Sequence, residues 1–154
     1  MASRNVDDLD TLCRTVYGEA RGESDLGRLA VAYVPVNRAL IAAAFVASRG
    51  RHHPLYGDGT VASACLAPYQ FSCWNLRDPN RAKLLALDLA SEEAAPCLEM
   101  AQAAIGRTAP DPSCGATHYC TLMAPRDGID WPPDWTTGQT PTAAIGGHVF
   151  YRLG

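Results

Sequence analysis

The sequence predicts an α+β fold, with a mainly helical body and a small antiparallel β-sheet near the C-terminus. Apolar side chains recur at helical spacing in four segments before Gly106, whereas the chain after Pro110 breaks into short segments typical of strands. The length of 154 residues, 47% of them hydrophobic, is enough for one buried core. We therefore expect residues 1–154 to form a single domain without internal repeats.

Two helices are predicted on either side of a break at Gly22. Apolar side chains within residues 9–20 fall on one helical face, and glycine is a common residue just past a helix end. A second helical pattern begins at Ser24 and Asp25, whose side chains suit a helix N-terminus. Pro35 lies inside this pattern and should kink or split the helix.

The middle of the chain is predicted as a long loop followed by two helices. Residues 50–79 are rich in glycine, proline and aromatic residues without a sustained period, which favours an ordered loop that carries function. Helices are predicted from about Asn80 to Ala90 and from about Glu92 to Ile105. Pro96 is compatible with the second of these only in its first turn.

Two strands are predicted near the C-terminus, at Ala116 to Leu122 and at His148 to Leu153. Together they would form a two- or three-stranded sheet beside the helical body. The proline-rich loop between them contains Trp131 and Trp135, which either extend a groove or cover the sheet.

Charge and hydropathy exclude several classes of partner. The net charge is −3 and the basic residues are scattered, so we expect no nucleic-acid partner. No continuous apolar run approaches the roughly 18 residues that a membrane helix needs, and the first residues lack the features of a secretory signal. We therefore expect synthesis in the cytoplasm and no membrane insertion.

Six cysteines fit either an oxidising destination or a use as small buried hydrophobes. The pair Cys114 and Cys120 lies close together in the C-terminal part of the sequence. For a protein that works in an oxidising compartment, we expect at least one disulfide that involves one of these two residues.

Glu19 is the first candidate for catalysis. At 100° per residue it falls at the border of the apolar stripe, in the final turn of the first predicted helix. A carboxyl group there is neither fully buried nor freely solvated, a setting typical of a general acid. An ordinary glutamate at a helix end is the alternative, and spacing alone does not separate the two.

Five sequence blocks lie in order along nearly the whole chain and carry a resemblance to a known family. They are Tyr17 to Glu23 (YGEARGE), Gly27 to Ala32 with Asn37-Arg38, Phe71 to Asn75 (FSCWN), Gly115 to Tyr119 (GATHY) and Ile145 to Tyr151 (IGGHVFY). In these blocks the chain resembles the SleB-type cell wall hydrolases, which include spore cortex-lytic enzymes and phage lysins.

The resemblance implies a fold similar to the lysozyme and lytic transglycosylase group. It also implies cleavage of the glycan strand of peptidoglycan between N-acetylmuramic acid and N-acetylglucosamine, with Glu19 as the catalytic acid and no cofactor or metal. A lytic transglycosylase needs one carboxyl group, whereas a muramidase needs a second one nearby. Glu23 and Asp25 are the nearest candidates for that second carboxylate.

The matching blocks also imply a set of substrate-binding side chains. Aromatic faces stack on sugar rings and polar groups orient the N-acetyl groups. The candidates are Glu23, Trp74, Asn75, His118, Tyr119 and His148. For His148, packing in the core is an equally good interpretation.

The sequence is also compatible with three other functions. A cysteine amidase or peptidase would use Cys73 activated by His118 or His148. A zinc site would combine Cys114, His118, Cys120 and His148, although this spacing matches no recognised pattern. A peptidoglycan-binding module without activity would use the aromatic side chains alone.

The biological setting also follows from the resemblance and from the expected absence of a signal peptide. We expect a phage or prophage endolysin, active as a monomer in the periplasm or on the cell wall. A holin would then open the membrane for its delivery.

Overall fold

The computed structural model describes residues 2–68, 70–122 and 131–153, with side chains from Asp7 onward. The α-helices are α1 (Ala2–Ala20), α2 (Asp25–Arg49), α3 (Val61–Leu66), α4 (Pro79–Ala86) and α5 (Ala95–Gly106). The strands are β1 (His118–Thr121), β2 (Ala143–Ile145) and β3 (His148–Tyr151). Short 3-10 turns span Ser72–Trp74 and Asp134–Thr136. This order confirms the predicted α+β class.

The helix α2 forms the centre of the core and packs against α1, α3 and α5. It begins as predicted, because the Ser24 side chain accepts a hydrogen bond from the Gly27 backbone N–H at 3.2 Å. The helix continues through Pro35 as one element, so the predicted split is wrong. Pro35 lies fully buried between Val34 and Val36, and this packing outweighs the one backbone hydrogen bond that proline removes.

By length and composition alone, α2 is apolar enough to cross a membrane. The search of the sequence for a continuous apolar run of about 18 residues did not reveal this. The polar side chains Asn37 and Arg38 interrupt its apolar run and hide this property from a search for uninterrupted segments. However, 61% of its most apolar stretch is buried inside the protein. The apolar character of α2 is therefore that of a central core helix.

The predicted loop between Gly50 and Pro79 contains two short helical elements, so the expectation of a continuous loop is only partly right. The Thr60 hydroxyl caps α3 by accepting a hydrogen bond from the Ser63 backbone N–H at 3.2 Å. At six residues, α3 is too short to show a helical period in the sequence.

The two helices after this loop form where they are predicted but with shorter bounds. Asp78 caps α4, and Pro96 lies in the first turn of α5, as expected. Arg14 of α1 ends α4 early by donating hydrogen bonds to the backbone carbonyls of Leu84 and Leu87, at 2.6 and 2.9 Å. A side chain distant in sequence thus sets this helix end.

The sheet is antiparallel with the strand order β1-β3-β2. In its registers, Tyr119 and Ala143 both lie opposite Phe150, whose fully buried side chain joins the core. Gly146 takes a positive φ of 56° in the turn that joins β2 to β3. Both predicted strands are present, and β2 is the additional one.

All six cysteines are free thiols, so the structure does not contain the expected disulfide. Cys13, Cys65, Cys73 and Cys97 are buried in the core, where they serve as small hydrophobes. Burial raises the pKa of Cys13 and of Cys65 to about 12. The interpretation of cysteines as small buried hydrophobes therefore describes these four residues.

Candidate active site

Glu19 lies in the last turn of α1 with its side chain partly exposed, as the helical spacing predicts. Its Oε1 atom accepts a hydrogen bond of 3.3 Å from the Cys73 backbone N–H. Cys73 belongs to the 3-10 turn Ser72–Trp74, so this turn holds one side of the carboxyl group.

Gly18 allows the turn to approach Glu19 so closely. A Cβ atom at Gly18 would lie 2.6 Å from the Cβ of Cys73 and 2.8 Å from the Cδ2 of Leu84. A glycine inside a helix costs about 1 kcal/mol relative to alanine, so its presence there signals a packing requirement. That requirement is the contact between α1 and the turn.

Two cavities meet at Glu19. The first, the polar cavity, has a volume of about 470 Å³. It is lined by Gly18, Glu19, Ala20, Arg21, Gly22, Glu23, Asn80, Thr121, Gly147 and His148. The second, the aromatic cavity, has a volume of about 340 Å³. It is lined by Glu19, Arg38, Gln70, Phe71, Ser72, Tyr119, Cys120, Thr121, Trp131, Pro133 and Trp135. An extended ligand that fills both would cross the Glu19 carboxyl group.

Tyr119 of β1 lies in the wall of the aromatic cavity. Its ring packs at 5.0 Å from that of His148 and at 5.8 Å from that of Phe150. Burial, and then the neighbouring Glu19 carboxylate, hold the pKa of Tyr119 well above its ordinary value. The phenol therefore stays protonated and can donate a hydrogen bond toward Glu19 or a bound ligand.

Arg38 lines the aromatic cavity, a role that the sequence did not predict. It is only 4% exposed. Its Nε donates to the Thr117 carbonyl at 2.7 Å and its Nη1 donates to Gln70 Oε1 at 3.0 Å. The guanidinium also lies 5.0 and 5.1 Å from the ring centres of Phe71 and Tyr56. The sequence signal that could have identified Arg38 is its charge within the otherwise apolar pattern of α2.

Glu23 and His148 lie together in the lining of the polar cavity. Glu23 Oε1 accepts a hydrogen bond of 2.7 Å from the Gly147 backbone N–H and lies 3.5 Å from His148 Nδ1. Burial lowers the pKa of His148, although the Glu23 and Glu19 carboxylates oppose this shift. Glu23 thus ties the turn between β2 and β3 to the segment that follows Glu19.

His118 of β1 contacts Trp135, one of the residues that line the aromatic cavity. Its ring is 5.3 Å from the ring of Trp135, and its Nδ1 is 2.9 Å from the Thr117 hydroxyl. Burial, and then the positive charge of Arg38, lower the pKa of His118 to about 4. A neutral His118 therefore supports the tryptophan that lines the cavity.

Trp74 and Asn75 lie apart from the described walls of the two cavities at Glu19. The Trp74 indole N–H donates to the Thr15 hydroxyl at 2.9 Å, which fixes the ring against α1. Both residues line a separate cavity with Pro68, Leu76 and Arg77. The structure brings Glu23, Tyr119 and His148 to the cavities around Glu19. It places His118 against Trp135 of the aromatic cavity, and Trp74 and Asn75 in the separate cavity.

Cys73 is a poor candidate for a nucleophile. It is 1% exposed, and burial, followed by the Glu19 carboxylate, raises the pKa of its thiol far above the ordinary value. A reactive cysteine requires the opposite shift. Within residues 2–68, 70–122 and 131–153, no three His, Cys, Asp or Glu side chains are grouped in a way that could hold a metal ion.

Comparisons with known proteins give consistent matches. A family model described as "Cell Wall Hydrolase" matches residues 22–151, a range that begins just after Glu19. The crystal structure of the catalytic domain of the Bacillus cereus SleB protein is similar to the chain with a TM-score of 0.64 and 25% identity, over 95% of this chain and 90% of that one. The catalytic domain of the germination-specific lytic transglycosylase SleB from Bacillus anthracis gives 0.61 and 25%, over 95% and 94%. Curated proteins give no significant match.

Proposed function

The chain belongs to the SleB-type family of cell wall hydrolases, and from this premise we propose that it cuts the glycan strands of bacterial peptidoglycan as a lytic transglycosylase. The observation that carries the proposal is the position of Glu19 where the polar and aromatic cavities meet. A glycosidase must bind sugars on both sides of the bond that it breaks, with the acid at that bond. The aromatic walls on one side suit stacking against a sugar ring.

In the proposed reaction, Glu19 gives its proton to the glycosidic oxygen between N-acetylmuramic acid and N-acetylglucosamine, and that bond breaks. The resulting carboxylate then takes the proton from the C6 hydroxyl of the muramoyl residue, whose oxygen bonds to C1 and closes a 1,6-anhydro ring. The backbone N–H of Cys73 holds one oxygen of the carboxyl group at 3.3 Å throughout. One carboxyl group therefore performs both proton transfers.

A hydrolytic muramidase is the second candidate, because Glu23 lines the same cavity as Glu19. However, Glu23 lines the polar cavity alone, and its contacts with the Gly147 N–H and His148 favour a role in holding that cavity together. Asp25 is less suited, since its side chain is 67% exposed and paired with Arg28 at the start of α2. With Glu19 as the single glutamate where the two cavities meet, intramolecular attack by the C6 hydroxyl has the advantage over attack by water.

The products distinguish these two chemistries. Digests of purified peptidoglycan should contain muropeptides that end in 1,6-anhydro-N-acetylmuramic acid, which lack a reducing end and are lighter by one water. Liquid chromatography with mass spectrometry, before and after borohydride reduction, measures this directly. If every product gains two hydrogens on reduction, the enzyme is a muramidase and Glu23 becomes the next residue to mutate.

Alkylation tests the remaining cysteine mechanism. Iodoacetamide applied to the native protein should modify the exposed Cys114 and leave Cys73 intact with lysis retained, because the buried Cys73 thiol is held in its unreactive protonated form. Peptide mapping by mass spectrometry identifies the modified thiols. Loss of lysis that tracks modification of Cys73, and that disappears in Cys73→Ser, would support a cysteine enzyme.

The biological setting of this proposal is a phage or prophage endolysin that acts on the wall after a holin opens the membrane. It is supported by the resemblance of the sequence blocks to a family that includes phage lysins. Peptidoglycan in the periplasm or on the cell wall would be its substrate.

A further inference from the structure

A third cavity lies beside the polar cavity. This side cavity has a volume of about 580 Å³, within the range of sites for small ligands. It is lined by Tyr17, Arg21, Lys83, Ala86, Leu87, Asp88, Ser91 and Glu93. Arg21 lines both cavities, so the two adjoin at this residue.

Arg21 is held in place at this junction. Its Nη2 donates to Asn80 Oδ1 at 2.9 Å and its Nη1 donates to the Tyr17 carbonyl at 3.1 Å. The guanidinium also lies 4.9 Å from the centre of the Tyr17 ring. A guanidinium that is positioned in this way and still exposed to solvent can bind a carboxylate without a rearrangement of its side chain.

The walls of the side cavity carry charges of both signs. Arg21 and Lys83 provide two cations, and Asp88 and Glu93 provide two carboxylates. Glu93 accepts a hydrogen bond from the Tyr17 hydroxyl, which ties it to α1. Such walls complement a short peptide that bears free carboxylates together with a free amine.

We propose that the side cavity binds the stem peptide of peptidoglycan, which branches from the lactyl group of N-acetylmuramic acid. The inference rests on the proposed function, since it requires a glycan strand to lie across Glu19. A glycan strand is linear and its stem peptides are its branches, so a charged cavity that adjoins the polar cavity at Arg21 fits the peptide in both place and chemistry. Arg21 and Lys83 bind its carboxylates, and Asp88 and Glu93 face its amine.

This assignment also sets the direction of the strand. The muramic acid sugar that carries the peptide occupies the polar cavity, next to Arg21. The N-acetylglucosamine on the other side of the broken bond then occupies the aromatic cavity, against Trp131 and Trp135. The preferred substrate is a strand that retains its stem peptides.

Two substrates test the preference: purified peptidoglycan, and the same material after an amidase has removed the stem peptides. The measured quantity is the ratio of the initial cleavage rates on the intact and on the stripped material. Wild-type protein should have a ratio above one. Lys83→Glu should lower it by about three- to tenfold, the size expected when an exposed charge contact becomes repulsive. Arg77→Glu, the same reversal in the separate cavity beside Trp74, should leave it unchanged.

A binding measurement separates this inference from the proposed function. The soluble tripeptide L-alanyl-γ-D-glutamyl-diaminopimelate, titrated into the ¹⁵N-labelled protein, should shift the backbone amide signals of Lys83 and Ser91 in wild type but not in Lys83→Glu. Equal rates on both substrates, together with no shift in these signals, would overturn the inference while leaving glycan cleavage intact. Absence of cleavage on both substrates would overturn the proposed function, and the titration would still decide whether the peptide binds.

Discussion

Replacing Glu19 with glutamine should reduce peptidoglycan lysis by at least about 100-fold while the protein stays folded. Glutamine keeps the shape of the side chain and can still accept the hydrogen bond from the Cys73 N–H. It cannot donate a proton to the glycosidic oxygen or take one from the C6 hydroxyl. A turbidity assay on permeabilised Gram-negative cells measures the loss, and circular dichroism with thermal melting checks the fold.

Two matched substitutions make this result specific. Asp25→Asn removes an exposed carboxylate at the start of α2 and should leave lysis close to wild type. Glu23→Gln keeps a hydrogen-bond acceptor for the Gly147 N–H and should cost far less than the change at Glu19. If the folded Glu19→Gln variant clears cells as well as wild type, the assignment of the acid is wrong. An equal loss at Glu23 would point to a pair of catalytic carboxylates.

The second large effect is expected at Gly18. Gly18→Ala places a methyl group 2.6 Å from the Cβ of Cys73, so the turn Ser72–Trp74 must move away from α1. Overpacking of this kind costs about 1 to 3 kcal/mol in the free energy of unfolding. Because the same turn holds Glu19, we expect lysis by the folded protein to fall by about 10- to 100-fold. Urea unfolding and the turbidity assay measure the two effects separately.

Gly22→Ala is the control for Gly18→Ala. It makes the same chemical change in the same sequence block, but a Cβ atom at Gly22 would have no neighbour within 4 Å. Its free energy of unfolding should therefore stay close to that of the wild type. Equal behaviour of the two variants would contradict the close contact between α1 and the turn.

The sequence predicts well those parts of the structure that depend on neighbours along the chain. The apolar period before Gly22 places Glu19 at the edge of the core, and the side chain of Ser24 marks the start of α2. Both are local properties of one helix and its first turn. The fold class follows from the same local patterns together with the change in character after Pro110.

The surroundings of Glu19 could not be predicted in this way, because they come from distant segments. The Cys73 N–H that holds Glu19 lies 54 residues away in sequence, and the Gly147 N–H that holds Glu23 lies 124 residues away. A matching block also does not show whether its side chains face a ligand or the core. Trp74 illustrates this, since its indole N–H donates a hydrogen bond to the Thr15 hydroxyl of α1 and its side chain lines another cavity.

The strand order has a consequence for when a nascent chain becomes able to cut its substrate. Among the described residues, β1 and β2 pair with β3 and not with each other, and β3 comes last of the three in the sequence. Until residues 148–151 have left the ribosome, Tyr119 has no strand beside it and the lining of the polar cavity lacks His148. Glu19 in α1 precedes all three strands in the sequence, so a polypeptide interrupted before β3 would carry Glu19 without His148 and without the strand that pairs with β1. In the order of synthesis, the cavities around Glu19 are therefore completed only once β3 has been made.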